Sequence, residues 1–322
     1  MKRFKRILLY TLLLLLVLIG IFAIQNYPVS AAAKNLPALS DTSDIRKNLE
    51  LIIQTAKPRN YKNIDVLDTV AERIRQEFSN YSGEVNMQNY QVNQSWYKNV
   101  IASFGPQGAE RIIIGAHYDV CGEQDGADDN ASGVAGILQL AKLLKDKKLK
   151  YRIDLVAYTL EEPPFFNTEQ MGSYVHAKSL QEDSVPVKGM ISLEMIGYYS
   201  DEAGSQDYPL GILKWVYGNK GNFITIAQNS FCGDFAKQFK TLYFKNNSII
   251  AKSFRAPSFL GGIGLSDHSN YWKFGYSAVM ITNTAFFRDH NYHKRTDVLK
   301  NLDLARMGQV IDGVYRTVTQ ME

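Results

Sequence analysis

The strongest constraint on the fold is the alternation of two kinds of apolar segment between residues 43 and 317. Short runs rich in Ile, Val, Leu, Tyr and Phe, typical of buried β-strands, alternate with longer runs that have the periodicity of amphipathic helices. This alternation predicts an α/β layered domain. The predicted strands are 98–104, 111–116, 151–158, 189–193, 223–227 and 277–282, and the predicted helices are 43–56, 63–78, 132–145, 170–180, 234–243 and 302–317.

Polar side chains follow the second, third and fourth predicted strands at the point where each strand ends. In chain order they are His117 and Asp119, then Glu161 and Glu162, then Glu194. Ligands bind beyond the carboxyl ends of the strands in open α/β sheets, so we expect these side chains to converge on one crevice.

Two further segments carry residues of the same chemical type. The turn at 126–133 contains Asp128, Asp129 and Asn130, and the segment at 265–268 contains Asp267 and His268. Helix capping explains one acid before a helix, but not two adjacent acids. Two histidines with at least three carboxylates and almost no cysteine form a ligand set suited to zinc or a similar divalent metal. The combination predicts a two-metal hydrolase.

The order and spacing of these motifs resemble those of the M28 family of metallopeptidases, which contains co-catalytic zinc aminopeptidases. The matching motifs are His117-x-Asp119, Asp129-Asn-Ala-Ser-Gly133, Glu161-Glu162, Glu194-Met-Ile-Gly197 and Ser266-Asp-His268. The resemblance implies a three-layer α/β/α sandwich around a mixed, largely parallel sheet. It also implies two zinc ions per chain, with other divalent metals as alternatives, and peptide substrates that have a free amino terminus.

The resemblance assigns a role to each matching residue. Asp129 would bridge the two zinc ions, and the Asp129–Asn130 peptide bond would be cis. Glu161 would be the general base, while Asp119 would orient the His117 ring and Asp267 would lie behind the ligands. The remaining ligands would be His117 and Glu194 for one ion and Glu162 and His268 for the other.

A second histidine competes for the ligand role. The segment 291–297 is similar to a family segment whose histidine binds metal in some branches. Because Asp267 and His268 are present, we assign the ligand to His268 and place His293, with Tyr292, near the substrate, with a structural hydrogen bond as the alternative role for His293. The loop at 163–170 is longer than in many relatives and leaves substrate specificity open.

The amino-terminal segment predicts that the chain is inserted in a membrane or exported across it. Four basic residues within the first six precede the uncharged, mostly apolar run 7–24, which is long enough to approach the thickness of a bilayer. We expect residues 1–34 to comprise a cytoplasmic flank, a transmembrane anchor and a linker, and 35–322 to form the peptidase domain on the extracytoplasmic side of the cell membrane. The alternative is secretion after cleavage near 31–33.

The remaining charge excludes one class of function. The chain has 36 Lys and Arg against 32 Asp and Glu. Without the four basic residues at the amino terminus, 32 of each remain, so the rest of the chain is charge-balanced. No nucleic-acid partner is therefore expected.

The sequence favours a membrane-anchored, extracytoplasmic zinc aminopeptidase. Two alternatives remain: a glutaminyl-cyclase-like acyltransferase with one zinc, and a non-catalytic ectodomain with the same fold. Retention of every ligand position and of Glu161 argues against the latter. The pairing of Cys121 with Cys232 and the oligomeric state stay open.

Overall fold

The structure of the protein is a computed structural model that describes residues 2–231, 233–258 and 262–321. The side chains of residues 2, 15, 16, 18, 19, 21, 22 and 25 are outside the described part. Cys232 is also outside it, so its pairing with Cys121 stays open.

A nine-stranded sheet lies at the centre of the described chain, in the order β1-β8-β7-β9-β6-β4-β5-β3-β2. The strands are β1 Ser30–Ala31, β2 Val85–Val92, β3 Ser95–Phe104, β4 Arg111–His117, β5 Arg152–Tyr158, β6 Val187–Glu194, β7 Phe223–Asn229, β8 Ile250–Ala256 and β9 Ala278–Thr282. The helices are α1 Lys2–Asn26, α2 Thr42–Ile53, α3 Ile64–Ser79, α4 Gly133–Leu144, α5 Gly172–Glu182, α6 Leu213–Tyr217, α7 Gly233–Asn246, α8 His268–Lys273 and α9 Leu304–Thr319.

The sheet is mixed, and its parallel part is smaller than the sequence predicted. Parallel pairing joins β5, β4, β6 and β9 in the centre and β7 to β8. Antiparallel pairing joins β1 to β8, β2 to β3, β3 to β5 and β7 to β9. The expectation of a largely parallel sheet is therefore right for the four central strands and for the β7–β8 pair. The β2–β3 hairpin on one side and the antiparallel pairings of β7 with β9 and of β1 with β8 on the other make the sheet mixed.

Side chains from alternate positions of the central strands pack on opposite faces of the sheet. Ile112 and Ile114 belong to a large core with α2, α3, α4, α7 and α9, whereas Ile113 belongs to a smaller core with residues of α5 and α8. Successive residues of a strand point to opposite faces, so a strand buried on both sides is apolar throughout. The two cores confirm the α/β/α sandwich.

All six predicted strands and all six predicted helices are present, with ends shifted by a few residues. The prediction missed the two-residue strand β1 and the longer strands β2 and β8. In β2 the sequence VNMQNYQV is half polar and most of its side chains are partly exposed, and β8 contains Lys252 and Arg255. Neither strand has the continuous apolar run that marks a fully buried strand.

The amino-terminal helix α1 ends against the sheet. The Asn26 side chain donates to the Arg255 carbonyl at 3.0 Å and accepts from the Arg255 amide at 2.7 Å. Among the residues described, no helix is both long and apolar enough to cross a membrane. The predicted transmembrane segment at 7–24 is thus unsupported by the described residues, and some of its side chains lie outside them.

Candidate metal centre

The ends of the central parallel strands bring polar side chains together, as the sequence predicted. His117 is the last residue of β4 and Glu194 is the last residue of β6, the strand paired beside it. Glu161 and Glu162 follow β5 on the other side of β4. All four side chains are buried.

Asp129 reaches this cluster from a distorted turn at Ala127–Ser132. The Asp129–Asn130 peptide bond is cis, as predicted, and both residues depart from helical backbone angles. The Asn130 side chain ties the turn to the end of β6: its amide donates to the Leu193 carbonyl at 2.8 Å, and its oxygen accepts from the Met195 amide at 3.0 Å. The turn therefore holds the Asp129 carboxylate over the strand ends.

The His117 ring presents its Nε2 atom to three carboxylates. Nε2 lies 3.4 Å from Asp129 Oδ1, 3.5 Å from Glu194 Oε2 and 3.7 Å from Glu161 Oε2. On the other side of the ring, Nδ1 lies 3.2 Å from the Asp119 carbonyl oxygen, to which it can only donate. This arrangement leaves Nε2 free of hydrogen in a neutral ring, the state in which imidazole binds a metal.

His293, and not His268, completes the cluster on its other side. His293 Nε2 lies 3.2 Å from Asp129 Oδ2 and 3.2 Å from Glu162 Oε2. Its ring is stacked on Tyr292 with centroids 3.7 Å apart, and its backbone has a φ of 56°. Left-handed φ values are uncommon outside glycine and occur often at functional sites.

The structure places His268, which the sequence favoured as a ligand, apart from the cluster. His268 begins α8 and is fully buried, and its Nε2 lies 2.7 Å from the Ile263 carbonyl. Its ring packs edge-on against Trp272, one helical turn along. The helix turns this side chain away, and the groups of described residues that could hold a metal do not include it.

Of the two acids expected behind the ligands, Asp119 contacts the His117 ring through its backbone carbonyl and not through its carboxylate. The Asp119 carboxylate lies 3.6 Å from His117 Nδ1, beyond hydrogen-bond distance. It instead accepts from the backbone amides of Glu161 at 3.2 Å and Glu162 at 3.1 Å, so it positions the glutamate pair. Asp267 is fully buried beside α8, and it too is absent from the metal-competent groups.

Several atoms of the cluster are buried without a hydrogen-bond partner among the described residues. They are Asp129 Oδ2, Glu162 Oε1 and His293 Nε2. Orphaned buried acceptors are rare in folded proteins because each costs free energy. Acceptors from separate segments that lie this close together fit a divalent cation. Three overlapping groups of described residues could hold one: His117 with Asp129 and Glu194, His117 with Glu161 and Glu162, and Cys121 with Glu162 and His293.

The electrostatics of the cluster also fit a cation. Burial and the nearby carboxylates of Glu162 and Glu194 raise the pKa of Glu161 well above its usual range, although His117 acts to lower it. Burial and the Asp129 carboxylate raise the pKa of Glu162 to about 7. Burial would lower the pKa of His293, but the Asp129 and Glu162 carboxylates raise it to about 10. A divalent cation would offset this excess of buried negative charge.

Sequence reasoning missed the residues that hold the acidic turn. Asp297 accepts from the backbone amides of Asp128 at 2.8 Å and Asp129 at 3.0 Å. The buried Arg59 donates to three backbone carbonyls: Tyr118 at 2.8 Å, Asp125, and Gly126 at 2.6 Å. Asp297 could have been found from the sequence, because it ends the segment that carries His293. Arg59 lies in no recognisable motif.

An apolar pocket opens beside the cluster. Glu194 and Tyr292 line it on the side of the metal ligands. Its other walls come from β7, β8, β9, the segment at 206–217 and the turns at 262–265 and 284–287, and they include Leu213, Tyr217, Phe223, Phe254, Met280 and Phe286. The pocket can therefore hold a large apolar group next to the polar cluster.

Comparisons with known proteins identify the family of the chain. A family model described as "Peptidase family M28" matches residues 99–318. The chain is 41% identical to the Escherichia coli uncharacterized protein YfbL over 291 residues, which cover 88% of this chain and 89% of the relative. It is 24% identical to Leucine aminopeptidase 1 of Metarhizium robertsii over 300 residues, covering 87% of this chain and 69% of the relative.

Solved structures share the fold. The Legionella pneumophila LapA aminopeptidase superposes with a TM-score of 0.68 at 20% identity, covering 88% of this chain and 73% of that one. A glutaminyl cyclase from Bacteroides thetaiotaomicron superposes with a TM-score of 0.63 at 17% identity, covering 89% of this chain and 100% of that one.

Proposed function

Because the chain belongs to peptidase family M28, we propose that it is a zinc-dependent aminopeptidase with two metal positions that share Asp129. The observation that carries this proposal is the placement of the two Asp129 oxygens. Oδ1 lies 3.4 Å from His117 Nε2, and Oδ2 lies 3.2 Å from His293 Nε2. One carboxylate thus faces two imidazole nitrogens on opposite sides.

The ligand sets follow from these contacts. His117 and Glu194 would hold one ion and Glu162 and His293 the other, with Asp129 common to both. This scheme keeps four of the five ligands inferred from sequence and replaces His268 by His293. When bound, two such ions polarise a scissile carbonyl and make water more acidic.

Glu161 is the general base in this proposal. Its carboxylate lies among the ligands, and its backbone amide is fixed by Asp119. Burial raises its pKa, which makes this carboxylate a stronger base than an exposed glutamate. Glu161 would take a proton from the attacking water and deliver it to the nitrogen of the leaving amine.

The apolar pocket and the acidic cluster together support an exopeptidase acting on apolar amino termini. The pocket would hold the first side chain of the peptide, as the leucine aminopeptidase relatives suggest. We expect Leu, Met or Phe to be preferred over Asp or Glu at the first position.

The cellular location remains a proposal from sequence. Four basic residues before the apolar run 7–24 support an anchor with the peptidase domain on the extracytoplasmic side. Protease added to intact cells, with a cytoplasmic protein as internal control, tests it: digestion of the domain is expected, and full protection in intact cells with digestion after lysis would contradict it.

The function is tested by comparing Leu-initiated peptides with a free and an acetylated amino terminus. We expect cleavage of the free peptide only, with loss of activity in a chelator. Glu161→Gln is expected to retain its metal and lower kcat at least about 100-fold. Cyclisation of amino-terminal Gln by protein with one zinc per chain would favour the cyclase instead, and no chelator-sensitive cleavage of any peptide would refute the proposal.

A further inference from the structure

Cys121 lies at the edge of the metal centre and has no role in the proposed mechanism. Its sulfur, a carboxylate oxygen of Glu162 and a ring nitrogen of His293 all lie within 4.8 Å of one another. Zinc binds cysteine sulfur at about 2.3 Å and histidine nitrogen at about 2.0 Å. Ligand atoms of one ion are therefore closer together than about 4.4 Å, so a small side-chain movement would bring all three into coordination.

The loop that carries Cys121 is held in place by hydrogen bonds. The Asn60 side chain donates to the Gly122 carbonyl at 2.6 Å, and the Val120 amide donates to the Arg59 carbonyl at 3.2 Å. These bonds flank Cys121 on both sides. The thiol is partly exposed, and its position beside His293 is set by the backbone that surrounds it.

An independent observation points to a ligand at this position. Glu162 is 4% exposed, and its Oε1 has no hydrogen-bond partner among the described residues. The same holds for His293 Nε2. The three groups come from the loop after β4, the end of β5 and the segment before α9, so the fold, and not local sequence, brings them together.

We propose that Cys121 is a sulfur ligand of the metal ion held by Glu162 and His293. The proposal rests on the metal-dependent function proposed above and extends it to one of the two metal positions. Formation of the sulfur–metal bond releases the thiol proton to solvent. A thiolate favours soft or borderline ions, so this position would prefer zinc over manganese, while the position of His117 and Glu194 has nitrogen and oxygen ligands only.

The absorption spectrum of cobalt-loaded protein reports directly whether sulfur binds the metal. We expect two bound Co²⁺ per chain and a sulfur-to-cobalt charge-transfer absorption in the near ultraviolet. Cys121→Ser should abolish that absorption and weaken the second cobalt about tenfold in competition with a chelator. Cys232→Ser, the matched change at the other cysteine, should leave both properties unchanged. Two bound Co²⁺ without the absorption would overturn the Cys121 proposal alone, whereas no bound Co²⁺ would overturn the proposed metal centre as well.

A second measurement needs no variant. Alkylation of the wild-type chain with a maleimide, followed by mass spectrometry of the peptides, reports each cysteine separately. Zinc is expected to slow alkylation of Cys121 at least about tenfold and to leave Cys232 unaffected. Equal alkylation of Cys121 with and without bound zinc would contradict the proposal.

Discussion

Replacing Arg59 by Met is expected to destabilise the protein more than any change at a surface arginine. Arg59 is 1% exposed and donates to the carbonyls of Tyr118, Asp125 and Gly126, which belong to the loop between β4 and Asp129. Burial lowers its pKa to about 10 against the opposing effect of Asp297, Asp129 and Asp119, so it remains charged at neutral pH. Met fills a similar space but leaves all three carbonyls without this donor.

The size of the effect follows from two opposing contributions. Loss of three hydrogen bonds from a charged donor costs about 1.5–3 kcal/mol each, while relief from burying the guanidinium charge returns part of that cost. We expect a net loss of about 4 kcal/mol in the free energy of unfolding. In a chain of this size this corresponds to a fall in Tm of about 8 °C.

Urea unfolding of the metal-free protein measures this loss. Arg75→Ala is the matched control, because Arg75 pairs with Glu72 on the exposed side of α3 and should contribute less than about 1 kcal/mol. Equal unfolding free energies for Arg59→Met and Arg75→Ala would refute the role given to Arg59. Since the loop also carries Cys121, Arg59→Met should weaken metal binding as well.

Two further changes test other parts of the structure. Ser266 donates to Glu194 Oε2 at 2.7 Å, so Ser266→Ala should lower zinc affinity about 10–100-fold in a chelator competition assay; unchanged affinity would exclude a role in positioning Glu194. Burial lowers the pKa of His268 to about 4, against an ordinary value of about 6.5, so its stabilising contribution is complete above pH 6.5 and is lost as the pH falls toward 4. Between pH 7 and pH 5, in the presence of a chelator, the free energy of unfolding of the wild type should therefore fall by about 2 kcal/mol more than that of His268→Gln. Urea unfolding measures both values, and an equal fall in the two proteins would contradict this.

The sequence was sufficient to predict the central strands of the sheet and most residues of the polar cluster. Continuous apolar runs identify β4, β5 and β6, and the parallel order of these strands places His117, Glu161, Glu162 and Glu194 at one edge. Motif order then led to Asp129. These inferences succeeded because each depends on residues that are close in sequence to a strand end.

The choice between two histidines needed the three-dimensional structure. His268 and His293 each follow an acidic or aromatic residue in a motif, and sequence spacing does not show which ring faces Asp129. The difference arises because α8 directs His268 toward Ile263, whereas a left-handed backbone conformation directs His293 into the cluster. Arg59 was missed for a related reason, since its carbonyl partners lie about 60 residues along the chain.

Counting bound zinc per chain in three proteins tests the central claim most directly. Elemental analysis after dialysis should give two zinc ions for wild type, two for His268→Ala and about one for His293→Ala, because only His293 faces both Asp129 and Glu162. Loss of zinc from His268→Ala with full retention in His293→Ala would contradict the metal centre described here.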